Sequence, residues 1–323
     1  MTIGPRGDVA HLGHAELLTP VPELSLAYFT ELLGMTVVCE GPGAWYLRGF
    51  GDYERYSLKL VAAQRPGLGH MALRASSADA LSRRVAWLQA AGVSGSWVEP
   101  EAGKGPAFEF PDPDGHPCRL YYETEKYVAP AGSRPVMKNN HQRYLGRGAN
   151  VRRLEHVNLM AADVRGCREF WETGFGLRTY EIIRRPDSSE DGAWMSSTIQ
   201  GHEVIYVRDY LSGRGPARLH HLAFWVDSRE EVLRAADIMS DGCVPIEAGP
   251  SRHTPIQGFY LYTREPGGNR IEICSGGYLW FDPDDNPVVW TAEEYAAKPG
   301  WGARLPETFR TYGTPPADTL SSG

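Results

Sequence analysis

The chain has 323 residues, 42% of them hydrophobic and 23% charged, with 33 Lys and Arg against 40 Asp and Glu. That length allows roughly two domains with real cores, and a formal net charge of −7 with no basic run argues against a nucleic-acid or anionic-membrane partner. Five cysteines without CxxC spacing fit a reducing compartment, and with no signal-peptide pattern and no apolar run of transmembrane length a cytoplasmic protein is expected.

In chain order, "HLGHAELLTPVPELSLAYFTELLGMTVVCE", from His11, reads as a short apolar strand, a loop, an amphipathic helix carrying Tyr-Phe, and a Gly-Met exit into a second strand. "LGHMALRASSADALSRRVAWLQAAGV", from Leu68, is again a strand, a Ser cap, a helix and a Gly stop. "PDGHPCRLYY", from Pro113, is a turn entering a strand. Val128 to Asn150 is rich in Gly, Pro, Arg and Asn, which is linker composition.

The pattern then starts again. "RLEHVNLMAADVRGCREFWETGFGLRTYE", from Arg153, echoes the first segment; "LHHLAFWVDSREEVLRAADIMSDGC", from Leu219, echoes the second; "PGGNRIEICS", from Pro266, echoes the third. An internal repeat fixes architecture before any motif is read. An α+β chain of tandem βαβββ modules is expected, two per half. The boundaries are 1–130 for the first domain, 131–150 for the linker, 151–277 for the second domain and 278–323 for a C-terminal extension. That extension carries Trp280, Trp290, Trp301 and Phe309, which can pack back as a lid, and the stretch from Thr314 is expected to fray.

Lining up the halves sets His14 opposite His156, His70 opposite His221 and Arg119 opposite Glu272. Strand alternation puts Ile271 and Ile273 on one face and Arg270, Glu272 and Cys274 on the other; by itself that second face could be wet. The repeat changes the reading, because two imidazoles and a carboxylate then share equivalent places on three strands. A guanidinium cannot ligate a metal, so the first half is expected to be metal-free. Two His and one carboxylate with positions left open is the facial arrangement of non-haem Fe(II) oxygenases.

On His156, "RLHHLAFW" and "GGNRIEICSGGY", the second half resembles the type I extradiol catechol dioxygenases of the vicinal oxygen chelate superfamily, and the resemblance spans nearly the whole chain. It implies two glyoxalase/extradiol dioxygenase-like domains, each a cup of curved sheet, with Fe(II) in the second cup on His156, His221 and Glu272; Mn(II) suits the same ligands. It further implies His202 as the acid/base beside the O₂ position and His253 and Tyr262 as catalytic groups at the bound catecholate. Asn158, Trp194 and Arg252 would line the substrate. Ala248 stands where relatives acting on homoprotocatechuate carry an arginine, which favours catechol or a neutral, alkyl- or aryl-substituted catechol. The partners implied are that substrate and O₂, with a homo-oligomer, a tetramer in the family. Two other readings stay open at this point: a glyoxalase-like metal-dependent isomerase or lyase, and a metal-free aromatic-binding module of the same fold.

Overall fold

The computed structural model describes residues 6–211, 217–282, 284–297, 300–302 and 304–316. The first-half strands are β1 (Val9–Thr19), β2 (Thr36–Gly41), β3 (Ala44–Arg48), β4 (Leu58–Ala62), β5 (Gly67–Ala75), β6 (Ser96–Val98), β7 (Ala107–Pro111) and β8 (Pro117–Tyr121). Those of the second half are β9 (Arg153–Ala161), β10 (Arg178–Arg184), β11 (Glu190–Ser196), β12 (Val204–Arg208), β13 (Arg218–Trp225), β14 (Ile246–Arg252), β15 (Gly258–Arg264) and β16 (Arg270–Gly276), with β17 (Val288–Thr291) in the C-terminal extension. The helices are α1 (Pro22–Ala27), continued by a π-helical turn over Tyr28–Leu32, α2 (Ala78–Ala90), α3 (Val164–Phe175), α4 (Arg229–Asp241), α5 (Ala292–Ala297) and α6 (Thr308–Thr311).

The two sheets have the same plan. Their orders are β2-β3-β4-β1-β5-β8-β7-β6 and β14-β15-β16-β13-β9-β12-β11-β10, and β17 extends the second at β10. In every module the last strand lies parallel to the first, as β1/β4, β5/β8, β9/β12 and β13/β16, while β1/β5 and β9/β13 join modules antiparallel. The fold is therefore four βαβββ modules, two to a sheet.

The helices begin where capping chemistry allows. Ser77 accepts from the Ala80 amide and Asp163 from the Gly166 amide, and Ser228 with Glu231 makes a reciprocal capping box. At the end of α4 the left-handed residue is Cys243, φ +55°, and not Gly242, so the expected glycine stop is shifted by one. The core is continuous between the halves: Phe110 stacks on Phe175 at 5.5 Å, Phe29 meets Phe224 at 6.1 Å, and the Tyr28 hydroxyl lies 2.6 Å from Thr263 Oγ1.

The tail departs from expectation at its end. Thr314, the start of the stretch expected to fray, is buried and exchanges two backbone hydrogen bonds with Leu219, at 2.8 and 2.9 Å. Backbone pairing to a central strand compensates the ordering entropy that composition alone would leave unmet. Residues 317–323 lie outside the described residues. Among the described residues no helix is long and apolar enough to cross a membrane.

Candidate metal centre and its cavity

Strands β9, β13 and β16 lie side by side, and their register carries the site. His156 faces Ala223, and Ala223 faces Glu272; one step along, Asn158 faces His221. All of these residues are buried. His156 Nε2 and His221 Nε2 are 2.8 Å apart, and Glu272 Oε2 lies 3.2 Å from the first and 3.0 Å from the second. Metal ligands at right angles with bonds of about 2.1 Å stand about 3.0 Å from each other, so these three atoms fit one face of an octahedron. Burial opposes charge on His156, but the Glu155 and Glu272 carboxylates outweigh it and push the imidazole up to about 9. Burial, partly offset by Glu272, brings His221 down to about 3, and hydrogen bonding to both imidazoles holds Glu272 well below the usual carboxylate range against its burial.

The first half repeats the lattice with other chemistry. His14 faces Ala72 and Ala72 faces Arg119, and His14 and His70 approach to 3.1 Å. Arg119 is paired with Glu109 at 2.8 Å, while Lys59 holds Glu16, the counterpart of Asn158, at 2.9 Å. Burial and then the charge of Lys104 lower His14 well below its ordinary value, so cations fill the place that the second half gives to a carboxylate.

The remaining candidate residues surround a cavity of about 540 Å³, into which His156, His221 and Glu272 open. The His202 ring lies 4.4 Å from that of His156; its Nδ1 is buried without a partner, and burial lowers it to about 4. His253 Nε2 is 2.8 Å from the Tyr262 hydroxyl and 4.0 Å from Glu272 Oε1, and its ring stacks on Tyr260 at 3.8 Å. Tyr262 faces Glu272 across β15/β16, and burial and that carboxylate keep its hydroxyl protonated. Asn158 Oδ1 is buried and unpartnered, and Trp194 forms part of the wall. Arg252 also lines the cavity, but its guanidinium is engaged by Gln257, at 3.2 Å to the carbonyl and again at Oε1. From the extension, Tyr295, Trp301, Leu305 and Phe309 complete the wall.

Sequence reasoning missed two buried groups behind the ligands. Glu155 hydrogen-bonds His156 Nδ1, lies 3.3 Å from His202 Nε2 and accepts from Gln200 Nε2 at 2.7 Å. His220 sets its Nδ1 2.6 Å from His221 Nδ1. Simple alternation would send both away from the site. The signal was in the repeat all the same, where "LEH" and "LHH" stand against two copies of "LGH".

Residues 11–120 and 153–273 each match the model of the Glyoxalase/Bleomycin resistance protein/Dioxygenase superfamily. The chain is 35% identical over 314 residues to a metapyrocatechase of Geobacillus stearothermophilus, covering 96% of this chain and 95% of the relative. It is 36% identical over 291 residues to a manganese-dependent 2,3-dihydroxybiphenyl 1,2-dioxygenase of Geobacillus genomosp. 3, covering 89% and 91%. The anaerobic 3,4-dihydroxyphenylacetate complex of homoprotocatechuate 2,3-dioxygenase from Brevibacterium fuscum superposes with a TM-score of 0.84 at 27% identity, covering 97% of this chain and 94% of that one. With its four modules, the protein belongs to the Glyoxalase/Bleomycin resistance protein/Dioxygenase superfamily and is one of its extradiol catechol dioxygenases.

Proposed function

We propose that the protein opens the ring of catechol, or of a neutral alkyl- or aryl-substituted catechol, beside the diol, at Fe(II) held by His156, His221 and Glu272, with Mn(II) as the alternative ion. The observation that carries this reading is the triangle of donor atoms, 2.8 to 3.2 Å on a side, at the wall of the cavity. Such an ion, when bound, supplies Lewis acidity toward a catechol hydroxyl and leaves positions open for the diol and O₂. Both atoms of O₂ enter the product, a 2-hydroxymuconic semialdehyde or its substituted analogue.

The chain's own groups manage protons and position. His202, neutral at pH 7 because burial lowers it to about 4, can take the proton of one catechol hydroxyl and return it when the ring opens. Tyr262, protonated and paired with His253, presents an O–H to the other catechol oxygen. Asn158 offers an unsatisfied amide oxygen at the same wall. Trp194, Ile205 and Phe309 give apolar surface that fits a ring substituent and keeps out water. Arg252, tied to Gln257, bounds the cavity as a wall, and the preference for a neutral ring substituent rests on Ala248 standing where relatives acting on homoprotocatechuate carry an arginine.

The same reading makes the enzyme a cytoplasmic homo-oligomer, a tetramer on the family resemblance. The test is anaerobic loading with Fe(II) and, separately, Mn(II), then O₂ and a panel of neutral and carboxylated catechols, following O₂ uptake, yellow product and product mass. Ring opening with one O₂ per catechol is expected, fastest on neutral substrates. Turnover without O₂, or tight aromatic binding by a chain that takes up no metal, would overturn the proposal.

A further inference from the structure

Two bulges recur in both halves, and the residues that occupy them distinguish the second half from the first. In β1 against β5, Leu12 pairs with Leu73 and His14 with Ala72, while Glu16 pairs with His70 and Leu17 with Leu68, so Gly13 and Gly69 are the extra residues of two bulges. In β9 against β13 the extra residues are Glu155 and His220. Each of the four stands immediately before a histidine of the repeat. In the first half glycine leaves room for the neighbouring side chains: a Cβ on Gly13 would lie 1.8 Å from the Tyr121 hydroxyl, and one on Gly69 2.2 Å from a Glu16 carboxylate oxygen, so either side chain would have to move. In the second half the bulge turns a side chain onto Nδ1 of the histidine that follows, Glu155 onto His156 and His220 onto His221.

The proton positions at His220 follow from its partners. The Phe309 carbonyl, 2.6 Å from His220 Nε2, can only accept, so Nε2 carries the hydrogen. A neutral His220 then has a lone pair at Nδ1, and His221 Nδ1 must donate across the 2.6 Å contact. That leaves His221 Nε2 with its lone pair aimed at the point it shares with His156 and Glu272.

The residue that starts this chain belongs to the C-terminal strap, Thr308 to Thr314, which is stitched to β13 and β16. Arg270, fully buried, donates to the Thr308, Tyr312 and His220 carbonyls at 3.0, 3.0 and 3.2 Å. Thr314 pairs with Leu219, one residue before the bulge, and a Cβ on Gly313 would lie 3.0 Å from the Leu219 carbonyl. The Phe309 ring packs edge-on against His220 at 4.7 Å and Tyr262 at 4.8 Å.

We propose that His220 is a positioning residue that couples the C-terminal strap to the metal centre: the Phe309 carbonyl, through His220, holds His221 in the tautomer whose Nε2 is free to ligate. The proposal rests on the metal-centre reading given above. It assigns the extension a role in metal affinity, in addition to lining the cavity, and it accounts for a histidine at a bulge where the first half has glycine.

The test compares His220→Asn with His220→Gln in the full chain. An Asn oxygen can reach the place of Nδ1 and accept from His221; a Gln amide reaches the place of Nε2, keeping the strap contact and abandoning His221. After removal of bound metal, Mn(II) alone is titrated and free Mn(II) is read by electron paramagnetic resonance. His220→Gln is expected to weaken Mn(II) binding about 10–100-fold, the usual worth of a ligand's outer partner, with His220→Asn recovering most of the loss. Equal affinities in both variants, or a greater loss in Asn than in Gln, would overturn the coupling. A wild-type chain that binds neither Mn(II) nor Fe(II) would overturn the metal centre and this proposal with it. Histidine ¹⁵N resonance on the metal-free wild type reads the tautomer without any variant: Nδ1–H at His221 is expected, and Nε2–H refutes the proposal.

Discussion

Glu272 and Arg119 occupy one position in two copies of the same lattice: each lies beside an alanine, Ala223 or Ala72, that in turn faces the histidine of the matched pair, His156 or His14. Even the neighbour across the hairpin corresponds, Tyr262 to Glu272 and Glu109 to Arg119. Glu272→Gln removes the only anionic donor of the triangle and is expected to lower metal content at a fixed metal concentration by more than about 100-fold, beyond what an outer partner is worth. Arg119→Gln breaks a partly exposed pair, costs about 0–1 kcal/mol in stability and leaves metal content and turnover unchanged. Elemental analysis after gel filtration, beside a thermal melt, checks both.

Most of the fold was legible because it is written twice. The strand-helix-strand rhythm, the Ser77, Asp163 and Ser228 caps and the match of His14 to His156 need only pattern and chemistry. Three features escape a reading by alternation and composition, each for a physical reason. Glu155 and His220 reach the site through bulges, and a register slip cannot be read from alternation. Thr314 is ordered by pairing with a strand some ninety positions earlier, which no local propensity encodes. Arg252 lines the cavity as its place beside His253 suggests, but the hold of Gln257 on its Nε and Nη2 is a loop contact that composition does not reveal.

Glu155 touches both His156 Nδ1 and the His202 ring, and it is buried with them. Glu155→Gln keeps the size of the side chain and removes its charge. It is expected to weaken metal binding about 10–100-fold, while Gln200→Ala, which removes an outer hydrogen bond to Glu155 together with its bonds to the His202 carbonyl and to Arg153 but leaves the Glu155 charge in place, should have a smaller effect. A metal titration of the two variants is the measurement, and equal losses would show that charge at Glu155 is not what matters.

His202 lies beside the ligands with its Nε2 3.3 Å from Glu155, outside the group formed by His156, His221 and Glu272. His202→Phe should therefore retain metal and lose about 10²–10⁴-fold in ring-opening rate, the usual worth of a general acid/base. The loss belongs in turnover and not in metal content, and rapid mixing of the metal-loaded variant with a catechol and O₂ separates the two. A variant that loses metal in proportion to activity would assign His202 to the ligand set.

Glu247 is the hinge on which the strap's response to acid turns. Its carboxylate accepts from Arg270 at 2.8 and 2.9 Å, from Arg264 at 2.8 Å and from Thr308 Oγ1 at 2.8 Å. Burial works to raise Glu247, but these bonds, Arg270 first, outweigh it and bring the carboxyl down to about 2. A group depressed in the folded state binds protons more readily once released, so its contribution is full above the ordinary carboxylate value and is lost as pH falls through the folded one. The strap should therefore hold unchanged down to about pH 4.5 and loosen progressively toward pH 2. Glu247→Gln leaves buried Arg270 without its anionic partner at every pH, which should cost about 1–3 kcal/mol and flatten that acid limb. Hydrogen exchange at Thr308 to Thr314 between pH 2 and pH 5, corrected for intrinsic rates, measures it, and an acid limb equally steep in both proteins would assign the loosening to another carboxylate.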